Sequence, residues 1–191
     1  MKTPEIVAFL KANVKPLDDS IYGFRYRAAA RLKDGSYLPC VVFQSKRKVV
    51  DLALRRFDET RRSSREYRGV VESFVTAGNR LADWEVASVE PSPFAWEIEI
   101  LRTIQGETTM GWTSFVAEMH DGSYVSLGTT FSHEFFDLPS GYTHKDIKTI
   151  HSGVVYGAGV GLKPFAHELL STSKIYREKP YFTCYVEGLD A

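Results

Sequence analysis

The 191 residues carry 24 Lys and Arg against 24 Asp and Glu, with 43% hydrophobic and 13% aromatic side chains. That much apolar material builds a sizeable core, and no apolar run approaches the ~20 residues with which a helix spans a bilayer, so no membrane-spanning helix is expected. The zero net charge conceals a division: residues 1–80 hold 17 Lys and Arg against 9 Asp and Glu, a net of +8, and residues 81–191 hold 7 against 15, a net of −8.

Thr3 followed by Pro4 predicts an N-cap with proline in the first turn, opening a helix through about Val14 with Ile6, Val7, Phe9 and Leu10 on its apolar side. The short apolar centre of this segment is interrupted by Glu5 and Lys11, unlike a signal peptide. From residue 22 to 43 the pattern becomes a β-hairpin around Asp34-Gly35, a favoured turn dipeptide. A two-residue turn would set Leu32 opposite Tyr37, and a three-residue turn with a bulge would shift the pairing by one and reverse the buried face. Residues 46–60 return to helical spacing, with Val50, Leu54 and Phe57 as the apolar stripe. Ser63 and Ser64 open a second helix through about Val75. "WEVASVE" reads as a strand with Trp84, Val86 and Val89 as apolar members, and "EPSPF" is the clearest breaker.

Ser92-Pro93 predicts a further helix through Gln105, although "WEIEI" also permits a strand. A second hairpin spans 110–131 around Asp121-Gly122, and Gly111-Trp112 precedes it much as Gly23-Phe24 precedes the first. A short helix within "DLPSGYTHKDIKTIHSG", the glycine turn "GVVYGAGVG", a helix over 164–178 and a last strand "YFTCYVEG" complete the chain. The fold class expected is α+β: one domain over 1–191, an antiparallel sheet built from two similar α-β-β units with helices packed on one face. The two units, 3–44 and 92–131, suggest an internal duplication, and a division near residue 91 is the alternative.

Residues 46–68 hold nine Lys and Arg, among them Lys48, Arg55, Arg56, Arg62 and Arg65, against four acids. Arginine forks match phosphate and carboxylate geometry, so this basic helical surface is the expected contact for nucleic acid or an acidic protein. No helix-turn-helix, zinc-finger or RNP-like pattern accompanies it. Opposite charge in the two halves also raises a homo-oligomer as partner, with no membrane involved. The alternative function is a hydrolase or metal-dependent enzyme using the His/carboxylate cluster at 118–151, with His120, His133, Glu134 and His144 as candidates, since imidazole titrates near neutrality. No paired metal-ligand spacing is present, so no metal and no cofactor are expected. "VVYGAGVGLKP" departs from the dinucleotide fingerprint at Leu162 and reads as a glycine turn. Cys40 and Cys184 lack C-x-x-C spacing and read as buried reduced thiols of a cytoplasmic chain. The expectation is therefore a non-catalytic intracellular interaction module.

Overall fold

Both Asp-Gly turns close hairpins in the computed structural model, which describes residues 1–19, 23–59, 78–130, 135–165 and 175–190. By its internal contacts the chain falls into two units, Met1–Ser92 with Tyr181–Ala191, and Pro93–Pro180, so the boundary lies beside the "EPSPF" breaker. The first unit contains α1 (Thr3–Asn13), β1 (Leu17–Asp19), β2 (Gly23–Leu32), β3 (Tyr37–Ser45), α2 (Lys46–Glu59), β4 (Arg80–Leu81), a 3-10 turn at Asp83–Glu85, β5 (Val86–Pro91) and the terminal β12 (Phe182–Val186). The second contains α3 (Ile98–Leu101), β6 (Thr113–Met119), β7 (Tyr124–Thr129), a 3-10 turn at His144–Asp146, β8 (Ile147–Ser152), β9 (Val154–Gly157), β10 (Gly161–Pro164) and β11 (Tyr176–Arg177). The class is α+β, dominated by its sheets.

The turn question resolves to three residues. Leu32 N–H donates to Ser36 O at 2.9 Å and Gly35 N–H to Leu32 O at 3.0 Å, which sets Arg31 opposite Tyr37. Gly35 takes φ +90°, the left-handed conformation that closes such a loop and that a side chain would resist. Asp34 Oδ1 accepts from Ser36 N–H at 2.9 Å. The second turn repeats this bond for bond: Met119 N–H to Ser123 O at 2.9 Å, Gly122 N–H to Met119 O at 3.0 Å, and Ser123 N–H to Asp121 Oδ1 at 2.9 Å.

In the first unit Tyr26, Ala28 and Ala30 of β2 turn inward with Val41 and Phe43 of β3 and Cys184 and Val186 of β12, and α1 lays Ile6 and Leu10 against them. The small alanines leave room for the helix. Thr3 is not the cap expected of it. It lies inside the first turn, and its hydroxyl donates to Asp83 at 2.8 Å while Glu5 accepts from Lys2 N–H at 2.7 Å. Pro39 has no N–H to give a ladder and sits where β3 bulges, between the pairs Ala30↔Leu38 and Ala28↔Val41. Successive residues of a strand face opposite sides. Tyr185 therefore points away from Cys184 and Val186, and α2 packs there, with Val49, Leu52 and Ala53 against Tyr185. Helices thus cover both faces of this sheet, correcting the expectation of one face.

The expectation of one antiparallel sheet is corrected as well. The two hairpins sit in different sheets, and each sheet gains a parallel strand, β12 beside β3 and β11 beside β7. Each core has the same order, β5-β2-β3-β12 and β8-β6-β7-β11. The outer antiparallel strands share a register: Leu32↔Val86, then a bulge, then Arg31↔Ser88 through Ala28↔Pro91; and Met119↔Ile147, a bulge, then Glu118↔Thr149 through Phe115↔Ser152. A 3-10 turn precedes each outer strand and accepts one bond from the hairpin turn, Lys33 N–H to Glu85 O and His120 N–H to Asp146 O, both 2.9 Å.

The second core is aromatic. Trp96 lies 4.7 Å from Phe136 with the rings tilted by 40° and meets Phe115 edge-on at 6.2 Å, with Leu101, Ala117, Met119 and Leu127 around them. The helix expected through Gln105 is a single turn, Ile98–Leu101, and Ser92 donates instead to Pro39 O at 2.6 Å. The helix expected over 164–178 begins in β10 and ends in β11, with residues 166–174 outside the described residues. Residues 63–75, where a second helix was expected, also lie outside the described residues. Cys40 and Cys184 are both buried free thiols, and burial pushes the Cys184 thiol up to about 12.

Candidate functional site

The basic helix starts where β3 ends. Ser45 is buried and its Oγ accepts from Lys48 N–H at 3.1 Å, an N-cap, while its hydroxyl donates to the Asp190 carboxylate. That carboxylate lies at the positive end of the helix, where negative charge is favoured. Past this cap, α2 turns Val49 and Leu52 onto the Tyr185 side of the sheet. Val49 and Leu52 are 3% and 7% exposed, whereas Val50 and Leu54, expected to face the core, are 47% and 57% exposed. The buried stripe is therefore not that of Val50 and Leu54, and the Phe57 side chain lies outside the described residues.

Lys46, Arg47, Lys48 and Arg55 are exposed around those two apolar residues, as expected for Lys48 and Arg55. The Lys48 methylenes lie over Gly23, 3.8 Å from where a Cβ would stand. Asp51 is the one acid on this exposed stretch among the residues whose side chains are described. The side chain of Arg56, and Arg62 and Arg65 altogether, lie outside the described residues.

Of the histidine and carboxylate candidates, His133 and Glu134 also lie outside the described residues. His120 is exposed at the end of the hairpin turn. His144 opens a 3-10 turn and stands 3.8 Å from Glu97. Asp121 and Asp146 are occupied by turns: Asp121 accepts from Ser123 and Tyr142, and Asp146 accepts from Thr143 N–H at 2.7 Å.

A different pair converges. His151 Nε2 is 2.9 Å from Glu118 Oε2, and Lys148 Nζ donates to Glu118 Oε1 at 2.6 Å. Glu118 lies on the β6 face opposite Phe115, Ala117 and Met119, and β8 brings His151 and Lys148 to the same face. The hydrogen bonds from Lys148, then His151, hold the Glu118 carboxyl below its ordinary range, and Glu118 in turn raises Lys148. Tyr124 lies 6.5 Å from the His151 ring and stacks at 4.7 Å, 16° from parallel, on Tyr156 of β9. Spacing gives no hint of this, since only the β6–β8 register joins Glu118 to His151.

The glycine turn forms the β9–β10 hairpin, with Gly159 and Gly161 at φ +79° and +78°. A strand follows it rather than the helix a dinucleotide loop requires. Among the described residues no group of three or more His, Cys, Asp or Glu stands as a metal site, and no helix is long and apolar enough to cross a membrane.

No protein-family model, no curated protein and no solved structure matches this chain.

Proposed function

We propose that the chain is a non-catalytic interaction module whose α2 surface binds an acidic protein segment. The observation that carries this reading is the outward face of α2, where Lys46, Arg47, Lys48 and Arg55 surround exposed Val50 and Leu54. A phosphate backbone has no apolar counterpart for those two side chains, whereas an acidic amphipathic peptide supplies both charge and apolar contact. Two labelled probes test it by fluorescence anisotropy: a glutamate-rich peptide with leucine at helical spacing, and a duplex DNA. The peptide is expected to bind, more weakly as salt rises, and to lose affinity on Leu54→Ser and on Arg47→Glu with Arg55→Glu. Salt-sensitive DNA binding indifferent to Leu54→Ser reassigns the surface to nucleic acid. Binding of neither probe overturns the reading.

The hydrolase alternative draws support from the 2.9 Å contact of Glu118 with His151. A general base needs a free lone pair aimed at water or a nucleophile, whereas both Glu118 oxygens are engaged, Oε1 by Lys148 and Oε2 by His151. This is the pattern of a clamp between strands, and we favour binding over catalysis on that ground.

We also infer that the two cores descend from one duplicated β-hairpin unit. In support stand the D-G-S-Y turns, the Gly-aromatic pairs with Gly23 and Gly111 at φ +75° and +73°, and the common register of the outer strands.

A further inference from the structure

The acidic and apolar chemistry that fits the outward face of α2 is present in the chain itself. Residues 81–92 carry Asp83, Glu85 and Glu90 and no Lys or Arg. Trp84 stands between the first two in the 3-10 turn and, at 72% exposed, is the most exposed aromatic side chain among the described residues. Its ring adds nothing to the first core, which Val86 enters two residues on. The turn is held from three sides. Asp83 Oδ2 accepts from the Thr3 hydroxyl at 2.8 Å, Glu85 Oε2 from Ala82 N–H at 3.0 Å, and Glu85 O from Lys33 N–H at 2.9 Å. These donors are uncharged groups, so none of them cancels a carboxylate beside the ring.

We propose that Trp84, with Asp83 and Glu85, docks on the α2 face of a second copy of this chain, the ring against Val50 and Leu54 and the carboxylates against the cations around them. The two surfaces complement each other in both respects. One is an apolar pair, 47% and 57% exposed, surrounded by Lys46, Arg47, Lys48 and Arg55; the other is an apolar ring between two acids. A guanidinium over an indole face adds cation–π attraction, and tryptophan is among the residue types that most often anchor an interface. The contact lies between copies, because Thr3 ties the turn to α1, and α1 and α2 cover opposite faces of the same sheet. A turn and a helix are unlike surfaces, so each copy keeps one of each free and association runs head to tail instead of ending at a dimer. Held in place beforehand, the turn loses little freedom on docking. This contact rests on the α2 reading above and gives that surface its partner.

Sedimentation velocity of the full-length chain over a concentration series tests it. At low salt the average mass is expected to rise with concentration beyond that of a dimer, and at high salt to stay at that of a monomer. Trp84→Ala is expected to weaken association about tenfold or more, and so is Arg47→Glu with Arg55→Glu. Mixed together, these two variants supply one intact α2 and one intact turn, and a complex that stops at one copy of each is expected. The Trp84→Ala protein is expected still to bind the glutamate-rich peptide, which separates lost docking from a folding defect. A monomer at every concentration in low salt overturns the proposal. So does association that Trp84→Ala leaves unchanged, and so does a mixture of the two variants that does not pair. If the parent chain stays monomeric yet binds the peptide, this contact falls and the α2 reading stands; if it binds neither, both fall.

Discussion

At the scale of single residues, the two Asp-Gly turns differ by one side chain. Among the described residues Asp34 accepts from Ser36 alone, whereas Asp121 accepts from Ser123 N–H at 2.9 Å, Ser123 Oγ at 2.7 Å and Tyr142 Oη at 2.6 Å. These bonds, Tyr142 first, bring the Asp121 carboxyl to about 2, below the ~3.9 of an unfolded chain. A carboxyl depressed in the folded state contributes stability that is complete above the unfolded value and is lost as pH falls through the folded one. Tyr142→Phe is therefore expected to lower the urea midpoint at pH 7, with the gap to the parent protein closing between about pH 4 and pH 2. A gap of the same size at pH 2 would refute this account. Asp-Gly-Ser was legible as a turn, but the third donor, 21 positions on, had no local sign.

At the scale of elements, α2 illustrates how far periodicity reaches. Val50, Leu54 and Phe57 make one helical stripe and Val49, Leu52 and Ala53 make another, and nothing in the spacing ranks them. The sheet decides, because Tyr185 of β12 receives Val49, Leu52 and Ala53, while Ser45 only caps the helix where β3 ends. Leu52→Ala is expected to destabilise by about 2–4 kcal/mol through the cavity it leaves, and Leu54→Ala by no more than about 0.5 kcal/mol. Chemical denaturation of the two variants checks this: equal costs would refute the difference in burial, and a larger cost for Leu54→Ala would mean that the helix is rotated as its stripe of Val50 and Leu54 predicts. Trp84 teaches the same lesson from the other direction. It was read as a strand residue, yet it belongs to the 3-10 turn and is 72% exposed, since Val86 rather than Trp84 meets Leu32.

At the scale of the whole molecule, the ends of the chain meet in one sheet. β12 lies between β3 and β4, in register from Phe182↔Val41 to Val186↔Ser45, and gives Cys184, Val186 and Leu189 to the first core. Ending the chain at Pro180 removes that strand and the Asp190 partner of Ser45, while Pro93–Pro180 keeps its own contacts. Hydrogen exchange on the truncated protein is expected to show lost protection in β2 and β3 with protection retained in β6 and β7. Uniform protection, or uniform loss, would contradict a division at Ser92. The same connectivity redistributes charge. The first unit takes Asp83, Glu85, Glu90, Glu187 and Asp190 from the acidic half, so it holds 17 Lys and Arg against 14 acids, and the second holds 7 against 10. The division of +8 and −8 in sequence becomes +3 and −3 in the folded units. The binding proposed above therefore rests on the local cationic face of α2 and not on a charge imbalance between halves.

What the amino-acid sequence determined alone is local: both Asp-Gly hairpins, the first helix, the strand over "VASVE" and the break at "EPSPF". Each rests on a preference acting over about four residues, which any isolated segment carries with it. Tertiary structure alone decided which strands lie side by side, the rotation of α2, the parallel placement of β11 and β12, and the meeting of Glu118 with His151. Those outcomes depend on filling two cores at once across long loops, and the free energy of filling a core belongs to all the segments around it, not to any one of them.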